Sequence, residues 1–207
     1  MKNDKNSSVI AVIALCLAVV GLSVGFAALS TTLQINGSAT VQTSSWDVHF
    51  NNLSEVTKTG TATILTAPAI KTGSLHIGNF DVQLKQPNDS ISYDFDIVNG
   101  GSYDAQITEL VKAGVNGKEI TLTGDEASKL NGKITYTLVY KTVGTGLTGT
   151  TSSLTVGNAV SSGDVLKAGE TVTCILKLTL GDLSSSDLPS SNVTIGGLDI
   201  SIIYSQA

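Results

Sequence analysis

His49 and His76 are the only imidazoles in this chain, and Cys16 and Cys174 its only thiols. A zinc peptidase of the usual kind needs two histidines four apart on a helix, with a glutamate beside the first as general base. Here the two histidines are far apart in segments that read as strands, and no His-Glu-x-x-His exists. Three protein ligands plus a base cannot be gathered from that inventory. Serines are plentiful, but no strand-turn-helix nucleophile elbow is expected in the β-patterned body of the chain. Asp94 and Asp96 share one face of a strand and, with Asp104 or Asp89, could offer hard oxygens to calcium. No loop of EF-hand spacing accompanies them, so a solvated face is expected. Tyr93, Tyr136, Tyr140 and Tyr204 fall within strand patterns and read as sheet packing, with a carbohydrate-binding face as the alternative. The expectation is no catalytic residue, no metal and no cofactor.

The small residues near the N-terminus point to chemistry done to the chain. Val9 to Leu29 is uncharged and almost wholly apolar. Such a run is long enough for a bilayer core of about 30 Å. Lys2 and Lys5 precede it, which orients the N-terminus to the cytoplasm and everything after Leu29 outward. Gly25 and Ala27 supply the small side chains a signal peptidase requires at −3 and −1, with the cut before Ala28. Residues 1–27 are therefore expected to be a signal peptide or membrane anchor, and residues 28–207 an exported domain. The membrane is a partner during export.

Composition bounds the rest. Every basic residue is lysine, and the net charge is −5, so nothing suggests nucleic acid. Cys16 lies in the apolar run. Cys174 is then alone in a probable strand and reads as a small buried hydrophobe.

The elements that must carry these residues are strands. In Thr32–Gln42, Leu33, Ile35, Ala39 and Val41 occupy one parity and polar residues the other. Trp46–Phe50 alternates again, with Trp46, Val48 and Phe50 expected inward and Asp47 and His49 outward, and Asn51-Asn52 is expected to open a turn. Thr61–Leu65 is a weaker strand, and Ser74–Leu84 changes parity near Gly78-Asn79. The clearest strand is Ser90–Ile97, with Ile91, Tyr93, Phe95 and Ile97 on one face. Asn99-Gly100-Gly101 should turn the chain so that Ala105–Leu110 pairs back. Asp125–Leu130 is the one helical piece expected outside the N-terminus, with Asp125 as its cap. Lys133–Val143, Thr171–Leu180 and Val193–Tyr204 complete the strands, and 144–163 is a Gly/Thr/Ser-rich loop. The fold class expected is all-β: a jelly-roll-like antiparallel β-sandwich preceded by an N-terminal hydrophobic signal or anchor helix.

Three features resemble one family. They are Gly21-Leu-Ser-Val-Gly-Phe-Ala-Ala-Leu29, the segment Pro87-Asn-Asp through Asn99-Gly-Gly to Ala105, and Lys167-Ala-Gly-Glu170 before a strand. Together they are similar to the TasA/camelysin-like secreted proteins of Gram-positive bacteria. Asn88 stands where that family carries a turn glycine, and the acidic residue typical soon after the cut is absent. The resemblance implies a jelly-roll subunit, cleaved by a SipW-type signal peptidase, that polymerises with itself into extracellular surface or biofilm-matrix fibres. It implies donor-strand exchange, for which Leu33, Ile35, Ala39 and Val41 would be the interface. The alternative is a monomeric, membrane-anchored binding module or adhesin.

Overall fold

The structure is a computed structural model and describes residues 9–19, 44–71, 75–78, 80–113, 115 and 118–207. The chain divides into two compact units, Met1–Gln42 and Thr43–Ala207. In the first, residues 9–19 are helical with exposed side chains. Among the described residues no helix is long and apolar enough to cross a membrane. Gly25, Ala27 and Ala28, and likewise Leu33, Ile35, Ala39 and Val41, lie outside the described residues.

The second unit is β-rich and antiparallel. Its strands are β1 (Val48–Thr59), β2 (Thr63–Thr66), β3 (His76–Ile77), β4 (Asp81–Gln83), β5 (Ser90–Asn99), β6 (Ala105–Val111), β7 (Thr121–Thr123), β8 (Ile134–Thr142), β9 (Val165–Leu166), β10 (Thr171–Leu180), β11 (Thr194–Gly196) and β12 (Ile200–Gln206). They form three four-stranded sheets, ordered β1-β5-β10-β8, β2-β4-β11-β7 and β3-β12-β6-β9.

One hydrophobic core joins the three sheets. The period-2 patterns dictate it. Ile91, Tyr93, Phe95 and Ile97 of β5 and Val172, Cys174, Leu176, Leu178 and Leu180 of β10 are all buried. Opposite them lie Ile77, Phe80, Val82, Ile107, Leu110, Ile195, Ile200 and Ile202. Burying each large aliphatic side chain contributes roughly 1.5–3 kcal/mol. Phe50 packs on Phe95 with ring centroids 4.9 Å apart, and Phe80 meets Tyr93 edge-on at 5.6 Å.

The two central strands start with the same device. Before β5, Asp89 N–H donates to Gln86 O (3.0 Å), and the Asp89 carboxylate takes back the Gln86 N–H (3.0 Å). Before β10, Glu170 N–H donates to Lys167 O (3.0 Å), and the Glu170 carboxylate takes the Lys167 N–H (2.8 Å). The third residue of each turn has positive φ, 68° at Asn88 and 71° at Gly169. Each turn also closes the far end of the other strand, through Asn88 N–H to Leu180 O and Asn99 N–H to Glu170 O.

Several expectations are corrected. Asn51-Asn52 does not end a strand. β1 continues to Thr59, and the pair forms part of a bulge in which Asn52 takes φ 53°. Ala105–Leu110 does not pair back onto β5, because β1 and β10 already occupy both β5 edges. β6 instead joins β12 and β9. Asp125 does not cap a helix: the piece is a 3-10 turn, Ala127–Leu130, with Glu126 at its N-cap and no side-chain capping bond. The last strand region is divided into β11 and β12 around Gly197, at φ 69°.

Candidate functional site

The residues weighed for chemistry are dispersed. His49 sits on β1, its Nδ1 2.8 Å from Asp47, both side chains well exposed. His76 sits on β3, in a different sheet, 3.8 Å from Asp199, which also pairs with Lys118 at 2.5 Å. Asp94 pairs with Lys141. Asp96 accepts from Asn52 (2.7 Å) and Thr173 (2.8 Å). Asp104 accepts from Lys167 Nζ (2.8 Å) and Ala168 N–H (2.9 Å), and these bonds hold its pKa below the ordinary value. Among the described residues no group of three or more His, Cys, Asp or Glu could hold a metal ion. The sequence Gly21-Leu-Ser-Val-Gly25 has the spelling of a nucleophile elbow, but it belongs to the apolar run and lies outside the described residues.

Of the four tyrosines in strand patterns, Tyr93, Tyr136 and Tyr140 are buried and Tyr204 is partly buried against the core. Tyr136 is buried and donates to Leu198 O at 2.5 Å, and Tyr140 is buried and donates to Asp164 at 2.8 Å. Burial, with the Glu55 carboxylate adding to it, pushes the Tyr93 phenol up to about 12. These rings form no exposed aromatic platform. Cys174 is fully buried in β10, and burial followed by the nearby carboxylates pushes its thiol well above the ordinary value. Without thiolate character it is inert toward oxidation or exchange.

Asp89 is a carboxylate with four donors. It is buried and accepts from Thr61 N–H (2.9 Å), Thr61 Oγ1 (2.7 Å), Lys85 N–H (2.8 Å) and Gln86 N–H (3.0 Å). Burial opposes ionisation, but the bonds from Thr61, Lys85 and Gln86 together outweigh it and lower the pKa. The structural role of Thr61 has no signal in its own sequence neighbourhood.

The sheet edges differ in how they are covered. The outer edge of β8 is closed by its loop: Tyr140 N–H donates to Asn158 O, Gly157 N–H to Tyr140 O, and Val160 N–H to Leu138 O. β1 is the other edge strand of that sheet, twelve residues long, and among the described residues no strand lies outside it. Its line is extended upstream, where Gly100 N–H donates to Asp47 O (2.8 Å) and Ser102 N–H to Ser45 O (2.9 Å). Trp46, expected to face inward, is instead 48% exposed, because it precedes β1 in this extension, beyond the core that takes Phe50; the half-exposed Tyr103 follows Ser102. Two bulges, between Asn51 and Ser54 and between Glu55 and Thr57, break the regularity of the middle of β1. Regular edge therefore remains at Val48–Asn51 and Thr57–Thr59.

A cleft of about 440 Å³ opens between β7 and the start of β8, where Ile120, Leu122, Leu130 and Ile134 line it beside Lys118 and Asn131. It gathers no set of catalytic groups. Compared with known proteins, the chain matches no family model, no curated protein and no solved structure.

Proposed function

We propose that this protein is an exported structural subunit of an extracellular surface or biofilm-matrix fibre, a jelly-roll-like sandwich that polymerises with itself. The observation that carries the reading is that, among the described residues, no strand pairs with the outer edge of β1, which lies directly downstream of an uncharged, alternating segment, Thr32–Gln42. Natural edge strands are usually blocked by charge, proline or bulges. The middle of β1 has such bulges, but Thr32–Gln42 carries neither charge nor proline. Added as a strand to the next copy, the segment would satisfy its own backbone and bury Leu33, Ile35, Ala39 and Val41.

Export in this reading uses the apolar run, and a SipW-type signal peptidase cuts before Ala28. N-terminal sequencing of the secreted species then begins at Ala28, and an intact Met1 counts against the cut. Negative-stain microscopy of the mature protein shows fibres. Leu33→Asp with Ile35→Asp leaves the protein folded but monomeric. An unfolded double mutant would place the segment in its own domain's core and reject donor-strand assembly. A wild-type protein that stays monomeric would favour the membrane-anchored binding module.

A further inference from the structure

The sequence contains four Asn-Gly dipeptides, at Asn36, Asn99, Asn116 and Asn131. Asn-Gly is the dipeptide in which the following backbone nitrogen can most readily reach the asparagine carboxamide, because glycine presents no side chain. Two of the four, Asn99-Gly100 and Asn131-Gly132, lie within the described residues, and they are held in opposite ways.

Asn99 is buried at 1% exposure. Its Nδ2 donates to Tyr103 O (2.8 Å), Lys167 O (3.1 Å) and Leu166 O (3.2 Å), and its Oδ1 accepts the Gly101 N–H (3.1 Å). The Gly100 N–H, the potential nucleophile, is already donated to Asp47 O at 2.8 Å. Asn131 and Gly132 are both exposed. They form the middle of the turn closed by Lys133 N–H to Leu130 O. Among the described residues no acceptor takes the Gly132 N–H, and the Asn131 carboxamide has no partner. Asn131 stands at φ −58°, ψ 125°, and Gly132 at φ 70°. Nothing lies within 4 Å of the position a Gly132 Cβ would take, so the backbone has room to rotate.

We infer that Asn131 is a site of spontaneous covalent modification, through a succinimide, and that Asn99 is protected from it by the fold. The Gly132 nitrogen, losing its proton, attacks Asn131 Cγ. The new N–Cγ bond forms as the Cγ–Nδ2 bond breaks, and the amide leaves as ammonia with that proton. One water then opens the ring. Attack at Cγ gives aspartate, and attack at the α-carbonyl gives isoaspartate, with the main chain rerouted through the β-carbon. No oxidant or cofactor is needed. Either product adds a carboxylate to the wall of the β7/β8 cleft, beside Lys118 and Glu119. It also makes the net charge one unit more negative than −5.

The test is peptide mapping of the folded protein aged in mildly alkaline buffer, with the urea-denatured chain as reference. In urea the Asn99 and Asn131 peptides convert at comparable rates. In the folded protein the Asn131 peptide converts at least about tenfold faster, because Asn99 must first give up its buried hydrogen bonds. Asn131→Gln abolishes the isoaspartate signal of that peptide and leaves the Asn99 peptide unchanged. A native ratio near one, or faster conversion at Asn99, overturns the inference. The peptides containing Asn36 and Asn116 are read separately.

Discussion

Asp89 and Glu170 occupy equivalent places in equivalent turns, but their carboxylates are not equally satisfied. Asp89 has four donors on its two oxygens. Glu170 is fully buried, and its Oε1 has no hydrogen-bond partner among the described residues. Charge-assisted bonds stabilise a buried carboxylate, while an unpaired buried charge costs stability. Asp89→Asn is therefore expected to lose about 2–3 kcal/mol in urea unfolding. Glu170→Gln should fall within about 0.5 kcal/mol of wild type or exceed it, since a neutral amide is cheaper to bury. The pH dependence has a definite sign. The folded pKa of Asp89 is lowered, so its contribution is present above the unfolded carboxylate value and is lost as pH falls through the folded one. Wild type should weaken on acidification below about pH 4, and Asp89→Asn should flatten that slope. An unchanged slope in the variant would remove Asp89 from this account.

At the scale of elements, each central strand depends on one residue of positive φ. Gly169 needs glycine for two reasons. Its φ is 71°, and a Cβ there would stand 2.4 Å from Leu147 Cγ, on the loop that donates its Leu147 N–H to Ala168 O. Gly169→Ala should cost about 2 kcal/mol, combining left-handed strain and overpacking. Asn88 meets the same conformational need with a side chain that tolerates it. Asn88→Gly should therefore lie within about 0.5 kcal/mol of wild type, as glycine relieves strain but gains freedom in the unfolded chain. Urea melts of the two variants decide this. Equal losses would show that the turns are not used as described. Most of these strands were legible from their alternation. The misreading of Asn51-Asn52 has a physical cause: a positive-φ asparagine serves a bulge as readily as a turn, and only the partner strand tells which.

For the molecule as a whole, the single tryptophan is well placed to report assembly. Trp46 lies between the uncharged segment 32–42 and β1, in the stretch hydrogen-bonded to Gly100 and Ser102, and is 48% exposed. If Thr32–Gln42 of each copy docks on the next, this junction becomes enclosed. Trp46 emission should then shift to the blue on assembly, and the Leu33→Asp, Ile35→Asp double mutant should not shift at any concentration. Fibres that form with unchanged Trp46 emission would place the contact elsewhere.

The sequence by itself determined that the body of the chain is built of strands, and which face of β5, β8 and β10 is buried, though not that of β1: Trp46 ahead of it is exposed and the strand runs on past Asn52. Side chains alternate strictly along a strand, so Ile91, Tyr93, Phe95 and Ile97 announce a core face without any knowledge of partners. The turns at Pro87-Asn-Asp89 and Ala168-Gly-Glu170 were also legible locally, but the carboxylate bonds that close them were seen only in the structure. Only the tertiary structure decided which strands neighbour one another. It sent β6 away from β5, closed the β8 edge with its loop while placing no described strand outside β1, brought Thr61 to Asp89, and separated a locked Asn99 from an Asn131 whose carboxamide has no partner among the described residues. Each of these depends on contacts between residues distant in sequence, whose pairing is set by shared burial in one core rather than by any local pattern.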